Sequence, residues 1–195
     1  MRILVVYAHP VETSFSAAVH QKVIEKLRER GHEVRDLDLY AEGFDPVLSR
    51  AERVAYEIDG DHRKAIEAHV ERIKWAEGLV FVYPTWWYGL PAIMKGWLER
   101  IWLPGITFEL PQDQGPIKPL MQHIRLLGGI STYGATWWLT RWVGDPGRRT
   151  LMRGLRALCA KRCRTFWLAH YDMDRSTAAT RASFLKRIDR RLDQL

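Results

Sequence analysis

The stretch Leu79-Val80-Phe81-Val82-Tyr83-Pro84-Thr85-Trp86-Trp87-Tyr88-Gly89-Leu90-Pro91-Ala92-Ile93-Met94-Lys95-Gly96-Trp97 decides how the rest of the chain is read. Its first five residues are continuously apolar, the pattern of a parallel strand covered on both faces. Pro84 is expected to stop that strand, because proline has no N–H to give a ladder. Pro91 stands where a helix can begin, since a first-turn proline forfeits no intrahelical bond. The connection between the two leaves Trp86, Trp87 and Tyr88 outside regular structure. So much exposed aromatic surface is costly unless something covers it, and a flat conjugated ligand would do so.

Outward from this stretch the same alternation repeats. Arg2–Tyr7 reads as a first strand. A helix follows from Ser16 to Arg30, with Val19, Val23, Ile24 and Leu27 inward and Gly31 as its stop. His32–Leu39 reads as a second strand, residues 50–76 as helix-rich, and Leu79–Tyr83 as the third strand, followed by a helix from Pro91 to Ile101. The segment Leu103–Leu120 holds four prolines and is long enough for a functional flap. A fourth strand is expected at Ile124–Leu127 and a fifth at Arg164–Ala169. The last helix spans Thr177–Leu192, burying Phe184, Leu185, Ile188 and Leu192. Strands alternating with amphipathic helices predict an α/β fold, a parallel sheet with helices on both faces. Five such strands suit the doubly wound order 2-1-3-4-5, whose ligands lie beyond the carboxyl ends of strands one, three and four. With no linker or repeat in view, residues 1–195 are expected to form a single domain.

Composition narrows the class. A chain of 195 residues, 47% hydrophobic and 27% charged, can bury a substantial core as an ordinary globular protein. No apolar run reaches the roughly 20 residues of a membrane span. The opening Met1-Arg2-Ile3-Leu4-Val5-Val6-Tyr7 reads as a strand rather than a signal peptide, so a cytoplasmic location is expected. Cys159 and Cys163, placed four apart in a helix-like segment, read as packing thiols rather than a redox motif. No His-Glu-x-x-His or similar spacing implies a metal. The net charge of +7 raises the question of nucleic acid, but no nucleic-acid module is visible. The densest basic run, from Arg148 to Arg164, alternates with Leu151, Met152, Leu155 and Leu158. That makes it a solvated helix face or a positive field for phosphate-bearing dinucleotides.

The loop after the first strand offers His9, Thr13, Ser14 and Ser16 at a helix amino end, where free N–H groups and the helix dipole favour phosphate. Ser14 or Ser16 could equally be a simple helix cap. Trp97, inside the helix, reads as core.

The segment Trp87-Tyr88-Gly89-Leu90-Pro91-Ala92-Ile93-Met94-Lys95-Gly96-Trp97-Leu98-Glu99-Arg100 closely resembles the flavin-binding loop of the NAD(P)H:quinone oxidoreductases, a DT-diaphorase-like family of flavodoxin-like fold. Tyr7-Ala8-His9-Pro10 with Thr13-Ser14-Phe15-Ser16, and Leu127-Gly128-Gly129 with Tyr133 downstream, are similar to two further motifs of that family. The three occur in the family's order over roughly residues 1–145. The resemblance implies that His9, Thr13, Phe15 and Ser16 hold the flavin phosphates. It implies that Pro84, Thr85, Trp86, Trp87 and Tyr88 border the isoalloxazine, that Gly128 and Gly129 let backbone approach it, and that Tyr133 is the catalytic tyrosine. Phe108 and Leu110 would line the substrate pocket, where relatives carry tyrosines. The implied cofactor is FAD, with FMN as the alternative, and NAD(P)H is the electron donor. Two-electron, ping-pong transfer would reduce quinones or other flat acceptors, in a homodimer whose sites form across the twofold interface. Trp137, Trp138 and Trp142 suit such an interface.

One departure stands out. The family places a histidine shortly after the tyrosine, before a Gly-Asp pair, whereas Gly144-Asp145 here follows Val143, so a Tyr–His relay is not expected. The alternatives are a nucleotide- or flavin-sensing regulatory subunit of a potassium-efflux system, a flavodoxin-type electron carrier, and a nucleic-acid-binding protein.

Overall fold

The computed structural model describes residues 1–57, 61–111 and 115–195. In chain order its elements are β1 (Arg2–Tyr7), α1 (Phe15–Glu29), β2 (Glu33–Asp38), α2 (Arg50–Val54), α3 (Glu67–Trp75), β3 (Gly78–Thr85), α4 (Ala92–Ile101), β4 (Phe108–Glu109), β5 (Lys118–Pro119), β6 (Leu126–Tyr133), α5 (Trp137–Val143), α6 (Pro146–Arg149), β7 (Arg164–His170) and α7 (Ala178–Leu192). Five strands form a parallel sheet in the order β2-β1-β3-β6-β7. This is the expected 2-1-3-4-5 winding, with the small antiparallel pair β4–β5 inserted between the third and fourth sheet strands.

Period-two alternation divides the apolar residues between two cores. Leu4, Val6, Leu79, Phe81, Tyr83 and Leu127 face α3 and α4 on one side. Ile3, Val5, Val80, Val82 and Ile130 face α1 and α7 on the other. Trp97 of α4 is fully buried, set edge-on to Phe81 and Trp102, and its indole N–H donates to His69 Nδ1 at 3.3 Å. Next to it, α4 crosses the chain at Gly96, where a Cβ would stand 2.1 Å from the Pro46 carbonyl oxygen. No helix among the described residues is long and apolar enough to cross a membrane.

The structure corrects several expected boundaries. β3 does not stop at Pro84; it runs to Thr85, with Pro84 opposite Thr132, and a proline beside the ladder's end removes only one terminal donor. β6 does not end at Leu127. It continues to Tyr133 and carries Gly128 and Gly129 in its interior. Each of these glycines makes room for a ring of the neighbouring strand, and neither lines the cavity at the sheet's carboxyl edge. A Cβ on Gly128 would lie 2.2 Å from Phe166 Cζ, and one on Gly129 2.2 Å from Trp167 Cζ3. The basic segment is no continuous helix: α6 passes into a π turn at Thr150–Gly154 and a 3-10 turn at Leu155–Leu158. Cys159 and Cys163 thus share no helix; both are buried free thiols flanking the turn before β7. The expected flap contains β4 and β5; its residues 112–114 lie outside the described residues, as do residues 58–60 of the helix-rich segment.

Trp97→Ala is expected to lower unfolding free energy by about 3–5 kcal/mol, as truncation of a fully buried tryptophan does. Urea titration followed by circular dichroism measures it, and a loss under about 1 kcal/mol would remove Trp97 from the core.

Candidate cofactor site

The carboxyl ends of β1, β3 and β6 open onto a cavity of about 920 Å³. Ladder register brings them level: Thr85 at the end of β3 lies opposite Tyr133 at the end of β6. His9, Ser14, Phe15 and Ser16 line one side, Pro84, Thr85, Trp86, Trp87 and Tyr88 a second, and Thr132–Ala135 with Met173 and Asp174 the rest. Hydroxyl groups stitch the floor together. Thr85 Oγ1 and Ser131 Oγ are 2.8 Å apart, and Ser16 Oγ and Thr132 Oγ1 are 3.3 Å apart.

Both readings of the first loop hold at once. Ser14 is the N-cap of α1, its hydroxyl accepting from the Ala17 N–H at 3.1 Å, and the uncapped N–H groups of the first turn still open toward the cavity side. Burial holds His9 below its ordinary pKa, so the ring is neutral near pH 7. Its Nδ1 accepts from the Val11 N–H at 3.0 Å, which leaves Nε2 as the protonated nitrogen and a donor.

The aromatic wall is a tight turn. The Gly89 N–H donates to the Trp86 carbonyl at 3.0 Å, and the two central residues, Trp87 and Tyr88, have φ of 47° and 62°. Positive φ at both positions with this bond is a type I′ hairpin geometry, normally filled by asparagine and glycine. Two bulky aromatics there carry strain of about 1–3 kcal/mol each. The other two non-glycine residues with positive φ among the described residues are Asp145, which holds the lining Tyr133, and Asp172, which precedes the lining Met173.

Tyr133 is almost wholly buried, and its O–H donates to Asp145 Oδ1 at 2.9 Å. Burial, then the Asp145 charge, raises the Tyr133 pKa far above the ordinary tyrosine range, so the phenol keeps its proton. Asp145 reaches this place because α5 ends at left-handed Gly144 and Pro146 immediately starts α6. The Gly147 N–H then donates to the Tyr88 carbonyl at 3.3 Å, tying α6 to the aromatic turn.

A family model described as flavodoxin-like fold matches residues 1–192. The chain belongs to the NAD(P)H:quinone oxidoreductase family, with a flavodoxin-like fold. NAD(P)H dehydrogenase [quinone] 1 of Rattus norvegicus is 33% identical over 152 residues, covering 69% of this chain and 54% of that protein. An uncharacterized NAD(P)H oxidoreductase of Haemophilus influenzae is 34% identical over 138 residues, covering 68% of each. Among solved structures, the NAD(P)H:quinone oxidoreductase of Methanothermobacter marburgensis superposes with a TM-score of 0.80 at 26% identity, covering 98% of this chain and 95% of that one. The chain spans about half the length of the curated relatives it matches first.

Of the residues expected at a family site, His9, Phe15, Ser16, Pro84, Thr85, Trp86, Trp87, Tyr88 and Tyr133 come together around this one cavity. Thr13 sits exposed in the turn beside it. Gly128, Gly129, Phe108 and Leu110 do not line it. Phe108 borders a separate cavity of about 600 Å³ with Tyr56 and Trp102, and Leu110 is exposed. Sequence reasoning missed Asp145, Thr132, Met173 and Asp174. The Gly144-Asp145-Pro146 run was a usable signal for Asp145, since glycine and proline punctuate a turn. Among the described residues no three His, Cys, Asp or Glu side chains gather as a metal site would require.

Trp87 is 93% exposed, so its strain is offset by no packing. Trp87→Gly is expected to raise the stability of the ligand-free protein by about 1 kcal/mol, because glycine adopts φ > 0 freely. Thermal and urea unfolding of the two proteins will show it; a destabilised variant would mean the turn is not strained.

Proposed function

We propose that this protein is a flavin-dependent NAD(P)H:quinone oxidoreductase, and that the cavity at the sheet's carboxyl edge holds the flavin. The observation that carries the reading is the convergence of a strained aromatic turn, a helix amino end and a proton-retaining tyrosine on one cavity of about 920 Å³. That volume suits a cofactor-sized ligand. FAD is preferred to FMN because Phe15 and Ser16 extend the lining along α1, where an adenylate would run. When bound, a flavin supplies two-electron hydride chemistry between NAD(P)H and a flat acceptor.

The chain's own residues bind and orient. The first turn of α1 and the His9 Nε2–H take the phosphates, while Trp86, Trp87 and Tyr88 form the wall against which the planar rings lie. Backbone N–H groups of that wall favour negative charge at the polar edge of the ring system. Tyr133 holds its proton through Asp145, which fixes the phenol's direction. Asp145 thereby stands where relatives were expected to rely on histidine, and it positions Tyr133 rather than touching substrate.

The protein is assigned a homodimer, with quinones or similar flat molecules as acceptors, in the cytoplasm. Trp137, Trp138 and Trp142 project from α5 at 45%, 77% and 84% exposure, a patch that association would bury. Phe108 and Leu110, absent from the cavity of their own chain, are assigned to that of the second copy. Light scattering is expected to give twice the monomer mass; a fully active monomer at micromolar concentration would overturn this assignment.

Reconstitution should yield one flavin per chain, read from visible absorbance and the mass of the released cofactor; failure to take up either FAD or FMN would sink the proposal. Uptake has a defined pH sign. The neutral His9 of the free protein gains a proton more readily beside a phosphate, so affinity rises as pH falls from about 7 to 6. His9→Gln keeps a donor and is expected to flatten that dependence. Calorimetry across pH compares the two. Tyr133→Phe should change stopped-flow flavin reduction by only about threefold or less, since loss of one positioning hydrogen bond is a modest term. A hundredfold loss would make Tyr133 an obligatory proton carrier.

A further inference from the structure

Behind the aromatic turn, on the far side of Asp145, a second cavity of about 480 Å³ lies between the α5–α6 segment and the edge strand β7. Four arginines line it: Arg141, Arg148, Arg149 and Arg153. Arg141 comes from α5, and Arg148, Arg149 and Arg153 from α6 and the π turn beyond the left-handed Gly144-Asp145 break, so the chain reversal there brings them to one cleft. None of the four has an ion pair or hydrogen-bond partner among the described residues, whereas the exposed Arg125, the half-buried Arg72 and the buried Arg100 are paired with carboxylates. Asp145 is the sole carboxylate of the lining; its Oδ1 accepts from Tyr133 and its Oδ2 is buried without a partner, so it suits a phosphate that still carries a P–OH to donate to it.

Two lining residues hold buried donors with no acceptor: Arg148 through Nε and Trp167 through its indole Nε1. Buried donors left unpaired are costly, and both here belong to the same cavity. An acceptor with several oxygens and negative charge would satisfy them and the arginines together. A guanidinium fork matches the oxygens of a phosphate better than those of a spherical halide, because it donates two parallel bonds.

We propose that this cleft is a phosphate-binding site, separate from the flavin cavity, in which Arg148 and Trp167 donate to the phosphoryl oxygens and Arg141, Arg149 and Arg153 supply charge. The phosphate is either free in solution or the 2′-phosphate of NADPH. The site does not depend on the flavin reading, because no lining residue other than Asp145 contributes to that cavity's chemistry. Its nearness to the aromatic turn, through the Gly147–Tyr88 hydrogen bond, makes the dinucleotide source physically accessible.

The test is titration of the full-length, flavin-reconstituted protein with inorganic phosphate, and with chloride at matched ionic strength, watching the indole N–H resonances. The Trp167 signal is identified by its loss in Trp167→Phe. A saturable shift of that signal with phosphate and not with chloride is expected, and Arg148→Met should weaken it about tenfold, as loss of a charge-assisted hydrogen bond does. Equal responses to both anions, or unchanged phosphate affinity in a folded Arg148→Met, overturn the site. Should Arg148→Met fail to fold, the exposed Arg153→Ala replaces it. A weakening of severalfold is then expected, and unchanged affinity overturns the site. Displacement of phosphate by NADPH but not NADH assigns the dinucleotide as the source; displacement by neither assigns free phosphate. Flavin uptake is followed independently by visible absorbance, and the same titration of flavin-free protein is expected to give the same phosphate affinity, so loss of one claim leaves the other standing.

Discussion

The parallel ladder between β3 and β6 is the constraint on which the rest of the molecule depends. It pairs eight consecutive positions, from Gly78 with Leu126 to Thr85 with Tyr133. A slip of one residue would turn Phe81 and Tyr83 away from their core and Val80 and Val82 away from theirs. The same register sets the aromatic turn and the buried tyrosine side by side at the sheet's edge. Sheet stability and site geometry are thus one specification, and the glycines of β6 serve it by admitting the rings of β7.

Strain in this molecule is localised. Among the described residues, Trp87, Tyr88, Asp145 and Asp172 are the non-glycine residues forced into left-handed backbone; the first two line the candidate cavity, Asp145 holds the lining Tyr133, and Asp172 precedes the lining Met173. The turn that holds Trp87 and Tyr88 is fixed at both ends, by the ladder through Thr85 and by α4 starting at Ala92, with α6 bonded to its middle. Such overdetermination keeps two large side chains in a conformation they would not choose. A planar ligand arriving there meets a wall that needs no ordering, which lowers the entropic cost of association.

The sheet was legible because its strands are apolar, short and evenly spaced between amphipathic helices, and because Pro91, Gly31 and Thr177 mark helix ends by simple backbone chemistry. Its winding order followed. Gly128-Gly129 was misread because paired glycines signal a turn when neighbours are judged only along the chain, whereas their reason lies across the ladder in Phe166 and Trp167. Pro84 misled in the same way. The basic run from Arg148 has helical spacing, yet Gly154 and the short connection to β7 break it into different turns. The first two strand-end loops of the site could be read from sequence, since their motifs are contiguous. A turn at Gly144-Asp145-Pro146 was signalled as well, but not the role of Asp145, which comes from a hydrogen bond to a tyrosine twelve residues earlier. The tryptophans of α5 were seen as a cluster, but their place on a short helix was not.

The interlocking of Gly128 with Phe166 and of Gly129 with Trp167 has an evolutionary consequence. Each glycine is acceptable only while a ring fills the space above it, and each ring only while the glycine leaves that space open. An alanine at either glycine drives a methyl group into an aromatic carbon, and a small residue at either aromatic opens a void. Neither partner can change first without loss. The two pairs are therefore bound by epistasis, and their descendants are expected to keep both partners or to exchange them in a single coordinated step.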